Sequence, residues 1–288
     1  MRTPFARLSS RFGLATLLAL VFATCAASWV ERHLGFDAQS LDFAALLAAP
    51  SAAHPLGTDD IGRDLLVRLL RGGQISLTVG LMTALVAAVF GTIIGLTAGY
   101  LGGAVDALLM RLTDGVIALP LLPVLIVLGA IDPGKLGLPA DIFRSQEAGL
   151  ARIVVIIGLV GWTTVARLVR AATLSIKVQD FIRAAEALGA SPMRIMMRHI
   201  LPNVAQPVIV ATTLSVGNII LLESALSFLG LGVQPPLPSW GNMLSNALDQ
   251  LYNAPALALW PGAMIFLTVL AFNLVGDGLQ DSLDPRAG

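Results

Sequence analysis

Long runs without a single charged residue alternate with short charged segments along the chain. Residues 12–30 form the first run, directly after Arg2, Arg7 and Arg11. A cleaved signal peptide and a retained first membrane helix share this pattern, and the later spans favour the retained anchor. The next run, 72–105, exceeds the roughly 20 residues that cross a hydrocarbon core, with 75–100 as its membrane part. Residues 115–131 form a third, bracketed by Asp114 and Asp132 and interrupted by Pro120 and Pro123, which predicts a kinked helix inside a bundle. The fourth is the shortest. Only 153–166 is uncharged, so a full span borrows residues beside Arg152 and Arg167, whose long side chains are expected to snorkel to the interfaces. Residues 203–222 and 256–275 make the fifth and sixth. Between them, 224–247 contains PPLPSW, too rich in turn formers for a simple helix. It predicts a re-entrant or surface-lying excursion, with Trp240 and Trp260 at the interface.

Composition agrees with this pattern: 56% of residues are hydrophobic, 12% are charged and the mean hydropathy is +0.82. The predicted fold is an all-α polytopic membrane protein with six transmembrane helices and both termini cytoplasmic. Its parts are a tail at 1–11, a first helix at 12–30, an external segment at 31–74, a core at 75–280 with a cytoplasmic loop at 171–202, and a tail at 281–288. Residues 168–202 hold Arg170, Lys177, Arg183, Arg194 and Arg198, whereas 224–258 has no Lys or Arg, as the positive-inside rule asks. Arg32, Arg63, Arg68 and Arg71 dissent from the external side, and the nearby Asp59, Asp60 and Asp64 are expected to pair locally with three of them. Eighteen basic and eighteen acidic residues leave no net charge, so nucleic acid is not implied as a partner. Cys25 is the only cysteine and forms no internal disulfide. No G-x-x-x-x-G-K-[ST] loop, nucleophile triad or metal-ligand spacing appears, so neither ATP binding nor catalysis is expected of this chain.

The stretch FIRAAEALGASPMRIMMRHILPN, 181–203, reads as a helical hairpin. Asp180 is a candidate N-cap, Phe181, Ala185 and Leu188 share a stripe, and Gly189 suits a left-handed cap. Ser191 can cap a second helix with Pro192 at its first position, and Pro202 is expected to end it. On that helix Met193, Met196, Met197, Ile200 and Leu201 face one way, and Arg194 and Arg198 the other. Two helices this short need an apolar surface to pack on, either the chain's own spans or a partner's groove.

RAAEALG followed by RHILPN resembles the Glu-Ala-Ala loop of bacterial ABC-transporter membrane subunits. Ala184, Ala185, Gly189, Leu201 and Pro202 match; Arg183 replaces the glutamate that names the motif, and His199 stands where isoleucine is usual. HPLGTDDIGRDLLVRLLRGGQISLTVG, GYLGGAVDALLMRLTD, LLESALSFLGLGVQPPLPSWGNML and FNLVGDGLQDSLDPR extend the resemblance over nearly the whole chain. Together they look like the C-type permease of dipeptide, oligopeptide and nickel importers. The resemblance implies a type I ABC importer permease of the bacterial inner membrane that carries peptides, with nickel chelates or glutathione as alternative cargo. It implies a homologous B-type permease, an extracytoplasmic solute-binding protein and two ABC ATPase subunits that bind ATP and Mg. Coupling to the ATPases falls, on the same ground, to Arg183, Ala184, Ala185, Glu186, Gly189, Ala190, Ser191, Pro192, Leu201 and Pro202.

Other charged positions carry alternatives. Asp59, Asp60 and Asp64, near Arg63 and His54, read as a capped, salt-bridged helix start or, in the family's terms, as a contact for the binding protein; nothing fixes a metal cage. Glu223 lies beside hydrocarbon and reads either as a substrate contact or as a structural hydrogen-bonding group. Asp106, Arg111 and Asp114 read as a solvated face, and the small residues of GYLGG as a close helix contact. An ion-gradient transporter would show repeated halves around paired intramembrane acids, and neither is evident.

Overall fold

The computed structural model describes residues 8–131 and 146–283, and the described residues are helices joined by loops. In order they are α1 (Leu8–Cys25), α2 (Ala27–Leu34), α3 (Leu65–Leu101), α4 (Gly103–Ala118), α5 (Leu121–Ala130), α6 (Gln146–Lys177), α7 (Asp180–Ala187), α8 (Pro192–Ile195), a π-helical turn (Met196–Ile200), α9 (Leu201–Phe228), α10 (Trp240–Ala247) and α11 (Ala256–Leu283). Among the described residues, five helices are long and apolar enough to cross a membrane, and α4 with α5 makes a sixth if that bent pair is one span.

α3 is the axis of the bundle. Asp64 caps its first turn by accepting from Val67 N at 2.9 Å, and at about 1.5 Å per residue its 37 residues run ~55 Å, well beyond the hydrocarbon core. Its main partner is α6. Gly91, Gly95 and Gly99, one turn apart, bring the two backbones close: a Cβ on Gly95 would stand 2.5 Å from Ala166 O and 2.7 Å from Val169 Cβ. Only hydrogen fits there. This small-residue ridge is the lipid-phase substitute for a hydrophobic drive, because lipid tails are as apolar as leucine and close packing must supply the attraction. Two buried clusters lie along α3, one around Leu65, Leu69, Leu77, Ile220 and Trp240, the other around Leu96, Tyr100, Val169, Ile182 and Ile200.

Two expectations need correction, on the third span and on Trp240. The third span is broken rather than kinked: α4 and α5 meet at 87°, with Leu119 extended because the Pro120 ring bars it from the helical region. Asp106, Arg111 and Asp114 lie on α4, where Arg111 and Asp114 are exposed as a solvated face; Asp114 also meets Arg167 at 2.5 Å, and Asp106 is held by Arg170 at 2.5 and 2.6 Å. Arg152 donates to Gly129 O and Ile131 O, the carbonyls at the end of α5. Trp240 is fully buried and donates its indole N–H to Leu69 O at 2.9 Å, so it anchors α10 on α3 instead of facing the interface.

Candidate functional site

The hairpin forms, with a different inward face from the one expected. Gln179, not Asp180, is the cap residue of α7, and the Asp180 side chain is fully exposed. Ile182 and Ala185 turn inward, while Phe181 is exposed and Leu188 is 88% exposed. Of the expected Phe181, Ala185 and Leu188 stripe only Ala185 meets the bundle, which lies toward the neighbouring side of the helix. α7 ends in a Schellman motif: Gly189, at φ +77°, donates to Glu186 O at 2.9 Å, and Ala190 donates to Ala185 O at 3.0 Å. Ser191 caps α8 by accepting from Arg194 N, with Pro192 in the first turn. Of the expected stripe, Ile200 is buried and Met196 and Leu201 pack against the same cluster, joined by Ile195; Met193 is 62% exposed, and Met197, Arg194 and Arg198 are exposed too.

Pro202 does not stop the second helix. Residues 192–228 run on as one span-length helix through the π-turn, where Leu201 N reaches back to Met196 O. A proline interferes with the carbonyl four residues behind it, and the wider turn makes room for the ring while keeping the ladder going. Asn203 Nδ2 covers His199 O at 2.6 Å. Hairpin and fifth span are therefore one mechanical element. Its root is pinned at Tyr100, whose hydroxyl lies 3.5 Å from Glu186 Oε1 and whose carbonyl accepts from Lys177 Nζ. Nothing local in the sequence pointed to Tyr100 or Lys177.

At the far end of α3, Glu223 has no exposure at all. Ser227 Oγ donates to it at 2.7 Å, Ser76 Oγ at 3.1 Å and Ser224 Oγ at 3.4 Å, a geometry that fits the structural alternative for this residue. Ser76, 147 positions away, was invisible to sequence reasoning. A cavity of about 570 Å³ opens elsewhere, between α3 and α9, lined by Leu85, Ile93, Thr92, Thr212, Ile209 and others; Glu223 does not line it.

The acidic segment ahead of α3 closes on itself. Asp59 accepts from Ile61 N, Arg63 N and Arg63 Nε, the last at 2.7 Å, and lies 3.5 Å from Arg68 Nε. Asp64 adds His54 Nδ1, at 2.9 Å, to its capping bond. Asp59 and Asp64 are buried and Arg63 is half-buried, so Asp60 alone of the four candidate contact residues is exposed. The expected local pairing holds for Arg63 and Arg68; Arg71 instead reaches back forty residues to Glu31 of α2.

The profile of the family described as binding-protein-dependent transport system inner membrane component matches residues 91–288. The glutathione transport system permease protein of Pectobacterium atrosepticum is 38% identical over 99% of this chain and 92% of its own length. The dipeptide transport system permease protein of Alkalihalophilus pseudofirmus is 43% identical over 83% of this chain and 74% of its own. A glutathione transport system permease protein of Escherichia coli O6:K15:H31 is 39% identical over 94% and 84%.

Proposed function

The chain belongs to the binding-protein-dependent transport system inner membrane components, multi-pass proteins of the bacterial inner membrane, and from that premise we propose that it is the C-type permease subunit of an ATP-driven importer of short peptides. The observation that carries the coupling role is the hairpin 180–200. Its inner face is buried on α3 and α6, while Phe181, Leu188, Met193 and Met197 stay exposed on short helices that sequence alone would not hold folded. Such a face suits helix-in-groove recognition by a partner.

In this reading the hairpin end is cytoplasmic and meets one of two ATPase subunits, which bind ATP and Mg and carry out the hydrolysis; this chain contributes no catalytic group. ATP draws the ATPases together, and the hairpin passes the displacement into α9 because the helix is continuous from 192 to 228. Energy enters as a difference in contacts between two bundle states. A homologous B-type permease completes the pathway. A solute-binding protein delivers cargo at the opposite end, where Asp60 is exposed. Dipeptides and glutathione, the substrates in the relatives' names, are both short peptides, which makes that class the first to assay.

The test is co-expression of this chain with a B-type permease, two ATPases and a binding protein encoded beside it. A complex of all of these, with ATPase activity that rises when the binding protein is loaded with dipeptide or glutathione, is the expected result. Stable, active uptake by this chain alone would overturn the reading in favour of a gradient-driven transporter.

A further inference from the structure

Glu223 is the buried carboxylate to which the import cycle above gives no task. Its surroundings are specific. Trp240 N donates to Ser76 Oγ at 3.2 Å, and that hydroxyl donates to Glu223; Val233 N donates to Ser227 Oγ at 2.9 Å, and that hydroxyl donates to Glu223 as well. Two backbone amides of the 229–240 segment thus reach one carboxylate, each through a serine that accepts with a lone pair and donates with its proton. One serine belongs to α3, the other to α9. Ser239 caps α10 by accepting from Asn242 N at 3.2 Å.

The same segment is fastened around this hub. The indole of Trp240 is bonded to Leu69 O of α3, and Gly241 lies so close to α9 that a Cβ there would stand 2.6 Å from Ser224 Cα. Asn242 Nδ2 ties the loop to the helix by donating to Leu237 O at 2.8 Å and Val233 O at 3.2 Å. No member of the hub can move away without stranding a polar group where water does not reach.

We propose that Glu223 is a positioning residue that fuses α10 and its loop to α3 and α9, so that these three elements move as one body when access switches. The proposal rests on the importer reading above. A loop held from one helix would follow that helix alone; this one is held from two, through one buried carboxylate. The joints that open and close the pathway then lie outside this body.

The test uses the assembled transporter in proteoliposomes, with Cys25→Ser, Gly72→Cys and Met243→Cys in this chain. A Cβ on Gly72 would stand 3.4 Å from Met243 Sδ, so the two positions face each other across the contact of α3 with α10 and make a candidate pair for cross-linking. Peptide uptake by the reduced complex reports on the importer reading, and the change on oxidation reports on the rigid body. Uptake that stays within about twofold on oxidation is expected; a loss of about tenfold or more that a thiol reductant restores overturns the proposal. Should the pair fail to fold or cross-link, Met243→Cys alone is labelled with a maleimide, nucleotide-free and trapped with ATP and vanadate. Equal rates are expected, and rates that differ by about threefold or more overturn the proposal. Adding Glu223→Gln is expected to raise labelling in the trapped state only. A rise in both states alike marks a fold defect and overturns the positioning role.

Discussion

The two ends of α3 are built on opposite principles. Around Ser76 every strong polar group finds a partner within the chain: Glu223 has its serines, the serines have their amides, and Trp240 has Leu69 O. Around Tyr100 the chain stops short. Ile182, Ile195 and Ile200 are covered, yet Leu188 and Met193 stand in the open beside Arg194 and Arg198. The first end closes its polar groups on one another; the second, in the importer reading proposed above, is half of a joint. If the proposed docking holds, the difference separates the end that stores the chain's own stability from the end that leaves surface for others.

The largest expected effect falls on the closed end. Glu223→Ala leaves three buried hydroxyls without an acceptor, at about 1 kcal/mol or more each, so thermal unfolding of the purified chain should show a loss of at least ~3 kcal/mol. An unchanged melting temperature would erase the distinction between the ends. Next comes the open end: Leu188→Asp with Met193→Asp is expected to leave the melting temperature alone and to weaken ATPase association by about 2–4 kcal/mol, a hundredfold or so in binding titrations. Gly189→Val meets no atom within 4 Å, so its effect is the left-handed backbone alone, about 1–2 kcal/mol. It should reduce stimulated ATPase activity more than complex assembly. The smallest effect is expected for Arg183→Glu. That side chain is 69% exposed, with only a 3.9 Å approach to Asp180, and a change below ~0.5 kcal/mol in stability with docking retained is the outcome that makes shape, rather than this charge, the basis of recognition.

Legibility in the sequence follows distance along the chain. Gly189, Ser191 and Pro192 are readable because left-handed caps and N-caps depend on a few adjacent residues, and all three hold their expected places. The apolar spans are readable because twenty residues of hydrocarbon-compatible side chains are themselves the signal. What failed was the choice of face and of partner. Phe181 and Leu188 form as good a stripe as Ile182 and Ala185, and only the position of α6 decides between them. Ser76 with Glu223, Asp106 with Arg170 and Glu31 with Arg71 are joined across 147, 64 and 40 positions. No local rule brings such pairs together. Trp240 misled for a different reason: tryptophan is enriched at membrane interfaces, but its N–H is equally satisfied by a buried carbonyl. The ridge of Gly91, Gly95 and Gly99 was present as a four-residue repeat, and the GYLGG stretch marks only its final turn.

The helix that runs through the π-turn also sets a scale for motion. From Pro192 to Glu223 it covers 31 residue steps, about 46 Å at 1.5 Å each. Treated as a stiff arm pivoting at one end, it turns a tilt of about 5° into a sweep of about 4 Å at the other, close to the width of a peptide backbone. The leverage comes from geometry and needs no local unfolding. A residue such as Pro202, which ends most helices, is here housed inside the arm, and the wide turn around it is what keeps the arm long.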